Sequence, residues 1–397
     1  MSHAGGPPPE EVIRRRDGGR AQAPGDGRDT TPAVGRRGEP GGWRRAVEDA
    51  GVALLRPRFE DGSWSFLFRR DTAYAAHGDG AARDERVAAA ARRARGGDEV
   101  PVEVQAPVIN APVWTWEVPL YFWFGGIATG AAFAAAAADV AGDHRTARIA
   151  RLVSIGAIGP GTPLLILDLG RPARFLHMLR IFKLRSPMST GAWCLVAFSN
   201  AMGAAVAADL LGRPRAARAL GGVGAGLATY LGSYTGVLLA STAVPVWARS
   251  RAYLPPMFMC TAAATGAAAT RLALAASGTP PGHPSRVALG TVETAAMAAE
   301  LALSEINERR LGPLGETLGR GRPGRLFAGA RAAVLAGLAL RAARGRGGPW
   351  THHVASVLYL AAGLAFRFAW VGAGRASAAD HEAVARNARR GYAAPGA

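Results

Sequence analysis

The chain is 397 residues long, 49% hydrophobic, and carries a formal net charge of +18 with 52 Gly and 26 Pro. The excess charge sits in the apolar part: residues 1–100 hold 18 Arg against 16 acidic residues, whereas 101–397 hold 29 cations against 13 acids. Loops at an anionic membrane surface, or an acidic partner subunit, account for that distribution better than a nucleic-acid-binding tail does.

Of the 47 cations, 46 are Arg, and Lys183 is the single Lys. Beside so much Ala and Gly, this bias is the mark of a GC-rich genome and not a nucleic-acid signature. Lys183 is then either a place where Arg serves less well or ordinary drift. The two cysteines, Cys194 and Cys260, both fall in apolar segments and form no CxxC pair. Small buried hydrophobes are the expected role, and an iron–sulfur or zinc site built by this chain alone is not expected. All 8 His fall in tails, connections or segment ends, so facing imidazoles for a haem are not expected either.

In chain order, residues 1–107 read as an extramembranous extension. The first forty are Gly, Pro and charge with little to bury, so disorder is expected. No apolar core of signal-peptide length follows the early basic residues. Residues 42–75 contain enough apolar side chains for a short docking element. From there the character changes. Windows 118–138, 152–167, 186–208, 219–248 and 252–270 carry no charge at all. A helix needs about 20 mostly apolar residues to cross a bilayer, and five such windows do not fit in one soluble core. Three more candidates follow at 287–306, 326–340 and 354–371, broken by Glu293, Glu300, Glu305, Arg331 and Arg367. The expected fold is an all-α integral membrane protein of about eight spans, packed through small Gly and Ala faces. A basic tail, 376–397, ends the chain. Loop cations, 12 on the side of the termini against 10 opposite, lean towards cytoplasmic termini.

Between the second and third windows lies "DLGRPARFLHMLRIFKLRSPMSTGAW" (168–193). Phe175, Met178, Leu179 and Phe182 are spaced as one helical stripe, with Arg174, Arg180 and Lys183 off it. That spacing predicts an interfacial amphipathic helix, with its apolar face in the acyl boundary and its cations at headgroup level. A basic elbow that merely fixes topology has the same spacing. Asp168 and Arg171 are placed to pair across the Gly-Arg-Pro turn.

The string itself says more. Together with "VWTWEVPLYFWFGGIATG" (113–130) and "ATYLGSYTGVLLASTAVPVWARSRAYLP" (228–255), it resembles the NrfD/polysulfide-reductase family of membrane subunits in its actinobacterial form, from about residue 107 to 375. The resemblance implies two four-helix bundles in the plasma membrane of a bacterium and a quinone-reactive subunit without a redox centre of its own. It also implies a four-cluster iron–sulfur partner and usually a molybdopterin catalytic subunit. Menaquinone is the expected carrier. Arg171, Arg174, Arg180 and Lys183 are then candidates for docking that partner.

A quinone that exchanges two electrons also exchanges two protons, so its site needs hydrogen-bonding groups near headgroup depth and a titratable relay. Glu117, beside Trp116 at the mouth of the first span, is the leading candidate; an acidic residue favoured by a helix N-terminus is the equal alternative. Tyr121 and Tyr234 are candidate donors to a quinone oxygen, or interfacial belt aromatics. Relatives of the polysulfide-reductase type carry Asn and His near the first helix and Tyr on the fourth. Here Asn110 and Tyr234 lie in comparable regions, the His has no counterpart, and Glu117 is expected in its place. Glu293 and Glu300, seven apart, share one helical face and make either a proton path or an ion pair, with Arg271 a possible partner. Two other classes compete: an ion or solute transporter built on Glu293, Glu300 and Arg367, and a scaffold that only tethers an iron–sulfur subunit.

Overall fold

A computed structural model describes residues 109–168, 177, 179–180, 182–184, 186–343, 349–380 and 384. The proposed N-terminal extension, its docking element, most of the interfacial helix, Arg171, Arg174 and nearly all of the basic tail lie outside the described residues. The described residues form helices and turns with no strand. In chain order the helices are α1 (Glu117–Val140), α2 (His144–Asp168), α3 (Pro187–Leu210), α4 (Pro214–Ala240), the short α5 (Pro245–Arg249), α6 (Leu254–Ala276) and α7 (Pro284–Leu311). A 3-10 turn (Gly312–Gly315) then leads to α8 (Glu316–Gly319), α9 (Gly321–Ala342) and α10 (Pro349–Ala379).

Seven of these helices, α1 to α4, α6, α7 and α10, are long and apolar enough to cross a membrane. The eighth expected span corresponds to α9. It has membrane length, but Arg322, Arg325, Arg331 and Arg341 leave it too polar to be counted with the seven. The 30-residue window at 219–248 is not one helix. Val244 is extended (ψ 122°) and Pro245 opens a new helix, so the chain stops at Ala240 and turns through α5 before α6. Across this break Ser241 and Ala243 are exposed, whereas Val244, Pro245, Val246 and Trp247 are buried.

The first four helices form two hairpins closed by the same device. Gly142 (φ 78°) ends α1, and the Asp143 N–H reaches back to the Ala138 carbonyl at 2.9 Å. Gly212 (φ 67°) ends α3, and the Arg213 N–H reaches the Ala208 carbonyl at 2.8 Å. Both are left-handed glycine stops that satisfy carbonyls the helix leaves unpaired. Asp143 then caps α2, accepting from the Thr146 N–H at 3.0 Å. Burial alone would raise its carboxyl pKa, but the hydrogen bonds from Ser285 and Thr146 win and hold it below the ordinary range. Both tight turns fall on one face of the bundle. The start of α1, end of α2, start of α3 and end of α4 are thereby gathered at the opposite end, the mouth.

Near the turn end the two hairpins are clamped by charge. Arg151 of α2 donates through Nη1 to Asp139 of α1 at 2.6 Å, and through Nε and Nη2 to Asp209 of α3 at 2.7 and 3.0 Å. The side chain of Arg151 is 2% exposed. Gly221 of α4 closes over the guanidinium, which would lie 3.3 Å from a Cβ at that position. The second half joins α1 mainly through α6, where Gly130 and Gly266 face each other so closely that neither could carry a side chain. Trp123 Nε1 adds a bond to the Leu360 carbonyl of α10 at 3.0 Å.

Removing one partner of a buried ion cluster strands the others. Arg151→Leu is expected to destabilise the detergent-solubilised protein by about 3–5 kcal/mol, read as a fall in its unfolding midpoint. Adding Asp139→Asn and Asp209→Asn to Arg151→Leu should restore most of the loss, because no buried charge is then left without a partner.

Candidate functional site in the mouth of the first four helices

A cleft of about 600 Å³ opens at the mouth end, walled by α1 to α4 and the segment before α1. Its wall brings together Trp114, Tyr121, Asp168, Met188, Gly191 and Tyr234, with apolar residues between them. The lining, apolar with a few convergent polar groups, is of the kind that small-molecule sites use.

Each polar group is held by its helix. Tyr121 (7% exposed) lies one turn into α1, and Tyr234 (5% exposed) lies near the end of α4. Tyr234 lies beside Tyr230 with ring centroids 5.6 Å apart. The Tyr230 hydroxyl is 2.7 Å from Thr190 Oγ1 on α3. The start of α3 is itself fixed: Ser186 caps it, accepting from the Ser189 N–H, and Ser189 Oγ accepts from the Lys183 N–H at 3.0 Å. Gly191 is required by the Tyr234 ring, which occupies the space where any side chain at 191 would project. Trp114 stacks on Trp247 of α5 at 5.3 Å. Trp247 Nε1 in turn donates to the Trp370 carbonyl of α10 at 2.8 Å, and Arg375 Nη1 bonds the Trp114 carbonyl at 3.3 Å. The outer rim of the cleft is thus braced by the last helix.

Of the residues singled out from sequence, Tyr121, Tyr234 and Asp168 converge on this one cleft. Trp116 and Glu117, at 6% and 1% exposure, are buried at the start of α1 directly before Val118, which lines it. Neither is itself part of the wall. Asn110 is exposed and does not line the cleft. Arg180 and Lys183 are exposed at the mouth end, where Phe182 (55% exposed) meets Trp193 edge-on.

The ionisable residues of the second half form two groups. Glu293 of α7 pairs with Arg341 of α9 and accepts from Ser356 Oγ of α10 at 3.0 Å. Arg271 does not take the place expected for it as the direct partner of that carboxylate. Its Nη1 bonds Ser356 Oγ at 3.0 Å and the His352 carbonyl at 2.8 Å, so it meets Glu293 only through the shared serine. Glu300 accepts from Ser304 Oγ at 2.6 Å and lines a separate cavity of about 350 Å³ with Glu308 and Arg331. Arg367, 1% exposed, lies over the Phe258 ring at 3.7 Å and donates to the Phe258 carbonyl at 3.1 Å.

Sequence reasoning missed Arg151, Arg341, Ser356 and Gly191. Arg151 and Arg341 sit at the borders of apolar windows and read as loop cations. Their acidic partners, Asp139, Asp209 and Glu293, were the available signal. Nothing in the sequence marks Gly191 among 52 glycines.

Seven membrane-length helices define a multi-pass helical membrane protein, with a cleft opening at one end of its first four. The family model described as "Polysulphide reductase, NrfD" matches residues 107–304, from just before α1 into α7, and the chain belongs to the NrfD family. No curated protein matches the chain.

Gly191→Ala drives a methyl into the Tyr234 ring and is expected to cost about 1–3 kcal/mol of stability, as overpacking does. In a Tyr234→Ala background the same methyl should cost almost nothing. A double-mutant cycle on the unfolding midpoint measures this coupling.

Proposed function

We propose that this chain is the quinone-reactive membrane subunit of a multi-subunit oxidoreductase in a bacterial plasma membrane, passing electrons between an iron–sulfur subunit and menaquinone or its quinol. The carrying observation is the mouth cleft, in which Tyr121, Tyr234 and Asp168 converge among apolar walls. Membership of the NrfD family supports the partnership, since family members typically work in a complex with iron–sulfur subunits. A molybdopterin subunit as the catalytic partner follows from the same resemblance.

The residues present fit a quinone head. Tyr121 and Tyr234 supply hydroxyl donors for carbonyl oxygens, and apart from Asp168 and the Trp114 ring edge the wall is apolar. The carrier supplies the two-electron chemistry when bound. The protein's part is to orient the carbonyls between the two hydroxyls and to hold exchangeable protons at the Asp168 and Glu117 carboxyls. Electrons come from or go to the partner's cluster across the mouth face, where the exposed cations Arg180 and Lys183 offer an acidic subunit a complementary surface. A transporter reading needs intramembrane charges free to bind a solute; Glu293 is instead engaged by Arg341 and Ser356, which favours the redox reading.

Tyr121→Phe, Tyr234→Phe and Glu117→Gln should each lower quinone-linked turnover of the assembled complex by about tenfold or more, with the iron–sulfur subunit still co-purifying. Unchanged turnover in all three would remove the cleft from the reaction. Reversing charge with Arg180→Glu and Lys183→Glu should instead release the partner subunit at salt concentrations the parent complex withstands. Retention of the partner at high salt would show that it docks elsewhere.

A further inference from the structure

Among the first four helices, α3 packs closely on α4 and less closely on α2, and its remaining face is bare. Trp193, Ala197, Asn200, Ala204, Ala207 and Leu211 are all exposed and recur at steps of 4, 3, 4, 3 and 4 residues, so they form one seam along the helix. Alanine on such a face does not by itself say what covers it, because exposed alanines also line α7 and α9. Asn200 does.

Asn200 is the fourteenth residue of the 24-residue α3 and therefore lies near the middle of the span. Its Nδ2 group donates to the Val196 carbonyl of its own helix at 2.8 Å. A primary amide offers two N–H donors and an acceptor oxygen. One N–H and Oδ1 are thus left over, with no further hydrogen bond among the described residues. Exposed hydroxyls on other helices behave differently. Thr229 of α4 and Thr291 of α7 each give their one proton to a carbonyl of their own helix, at 2.6 and 3.2 Å. An amide cannot satisfy both its ends in that way. At the depth of the acyl chains there is no water to serve them, so the open oxygen and N–H need a protein partner.

We propose that the bare face of α3 is the contact between two copies of this chain in the membrane, joined at Asn200. What selects a second copy is the chemistry of the amide, which is donor and acceptor at once and so complements itself. Two copies inserted in the same orientation are related by a twofold axis along the bilayer normal. Their α3 helices then run side by side, and each residue of the seam meets its own equivalent at equal depth. Asn200 gives its open N–H to Oδ1 of the same residue in the other copy and receives the same bond in return. Any other membrane partner would have to bring a matching polar group to that depth, whereas a second copy carries one there by symmetry. Ala197 and Ala204, one turn to either side, let the two backbones come close enough for short amides to meet. The inference is independent of the ligand assigned to the cleft.

Cysteine cross-linking of the full chain in its native membrane tests the pair. In a Cys194→Ala, Cys260→Ala background, Ala197→Cys and Ala204→Cys should each give a disulfide-linked band of twice the chain's mass on mild oxidation. Ala295→Cys, exposed on α7, should not. Adding Asn200→Leu, which keeps the size and removes the amide, should lower the cross-linked fraction by about fivefold or more, with the chain still accumulating at the parental level. No doubled band at either seam position, equal cross-linking at Ala295→Cys, or a yield untouched by Asn200→Leu overturns the proposal. Adducts of the α3 cysteines with a different membrane protein overturn it as well, by showing that another subunit covers the face. Should Asn200→Leu fail to accumulate, bleaching steps are counted for fluorescently tagged wild-type chains in dilute proteoliposomes. Two steps per particle support the pair, and one overturns it.

Discussion

Charge inside a bilayer must be matched by charge or hydrogen bonds from the protein itself, and this constraint organises the molecule. Arg151 is the clearest case. A single guanidinium bonds carboxylates on two other helices, so that α1, α2 and α3 are fixed to one another at the turn end. The planar, multi-donor guanidinium suits that task, since a lysine offers one point charge and no fork. With the turn end fixed by charge and by glycine stops, the other ends of the same helices are free to diverge around a cleft. The cleft opens at the end of these helices away from the clamp.

A similar device recurs in the second half with different parts. Arg341 and Arg271 converge on Ser356, whose hydroxyl also reaches Glu293, and the group joins α6, α7, α9 and α10. This explains why α9 sits with the other helices although it is too polar to be counted with the seven. Arg331 turns to Glu305 and Glu308 of α7, and Arg341 turns to Glu293. A helix that presents its cations to acidic residues on a neighbour has its membrane cost offset by pairing rather than by its own hydropathy.

The contrast between what the sequence revealed and what it concealed follows from this. Charge-free windows are a one-dimensional signal, and they located five of the seven apolar helices directly, with α7 and α10 emerging through windows interrupted by three glutamates and by Arg367. The break at Pro245 escaped notice because the turn carries no charge and runs into the buried, apolar α5; only the proline after Val244 marked it. Tyr121, Tyr234 and Asp168 could be singled out because each stands out chemically in an apolar stretch at a span end. Arg151 was hidden by its position beside Arg145 and Arg148, since a window cannot tell a loop cation from the one that turns inward. Gly191 was hidden for the opposite reason: its significance lies in the space it leaves for a ring on another helix.

The two halves also meet at the cleft itself. Trp247 is wholly buried, stacks on Trp114 and donates to the Trp370 carbonyl. Gly374 leaves room for the Trp247 ring, and the neighbouring Arg375 reaches the Trp114 carbonyl. Trp114 is therefore positioned from α5 and α10, although the cleft it lines belongs to the first four helices. α10, whose inner face carries Arg367 against Phe258 and Ser356 near Glu293, touches the rim through Trp247 and Arg375. The second half thus contributes to the cleft, for it supplies the contacts that hold one of the wall residues.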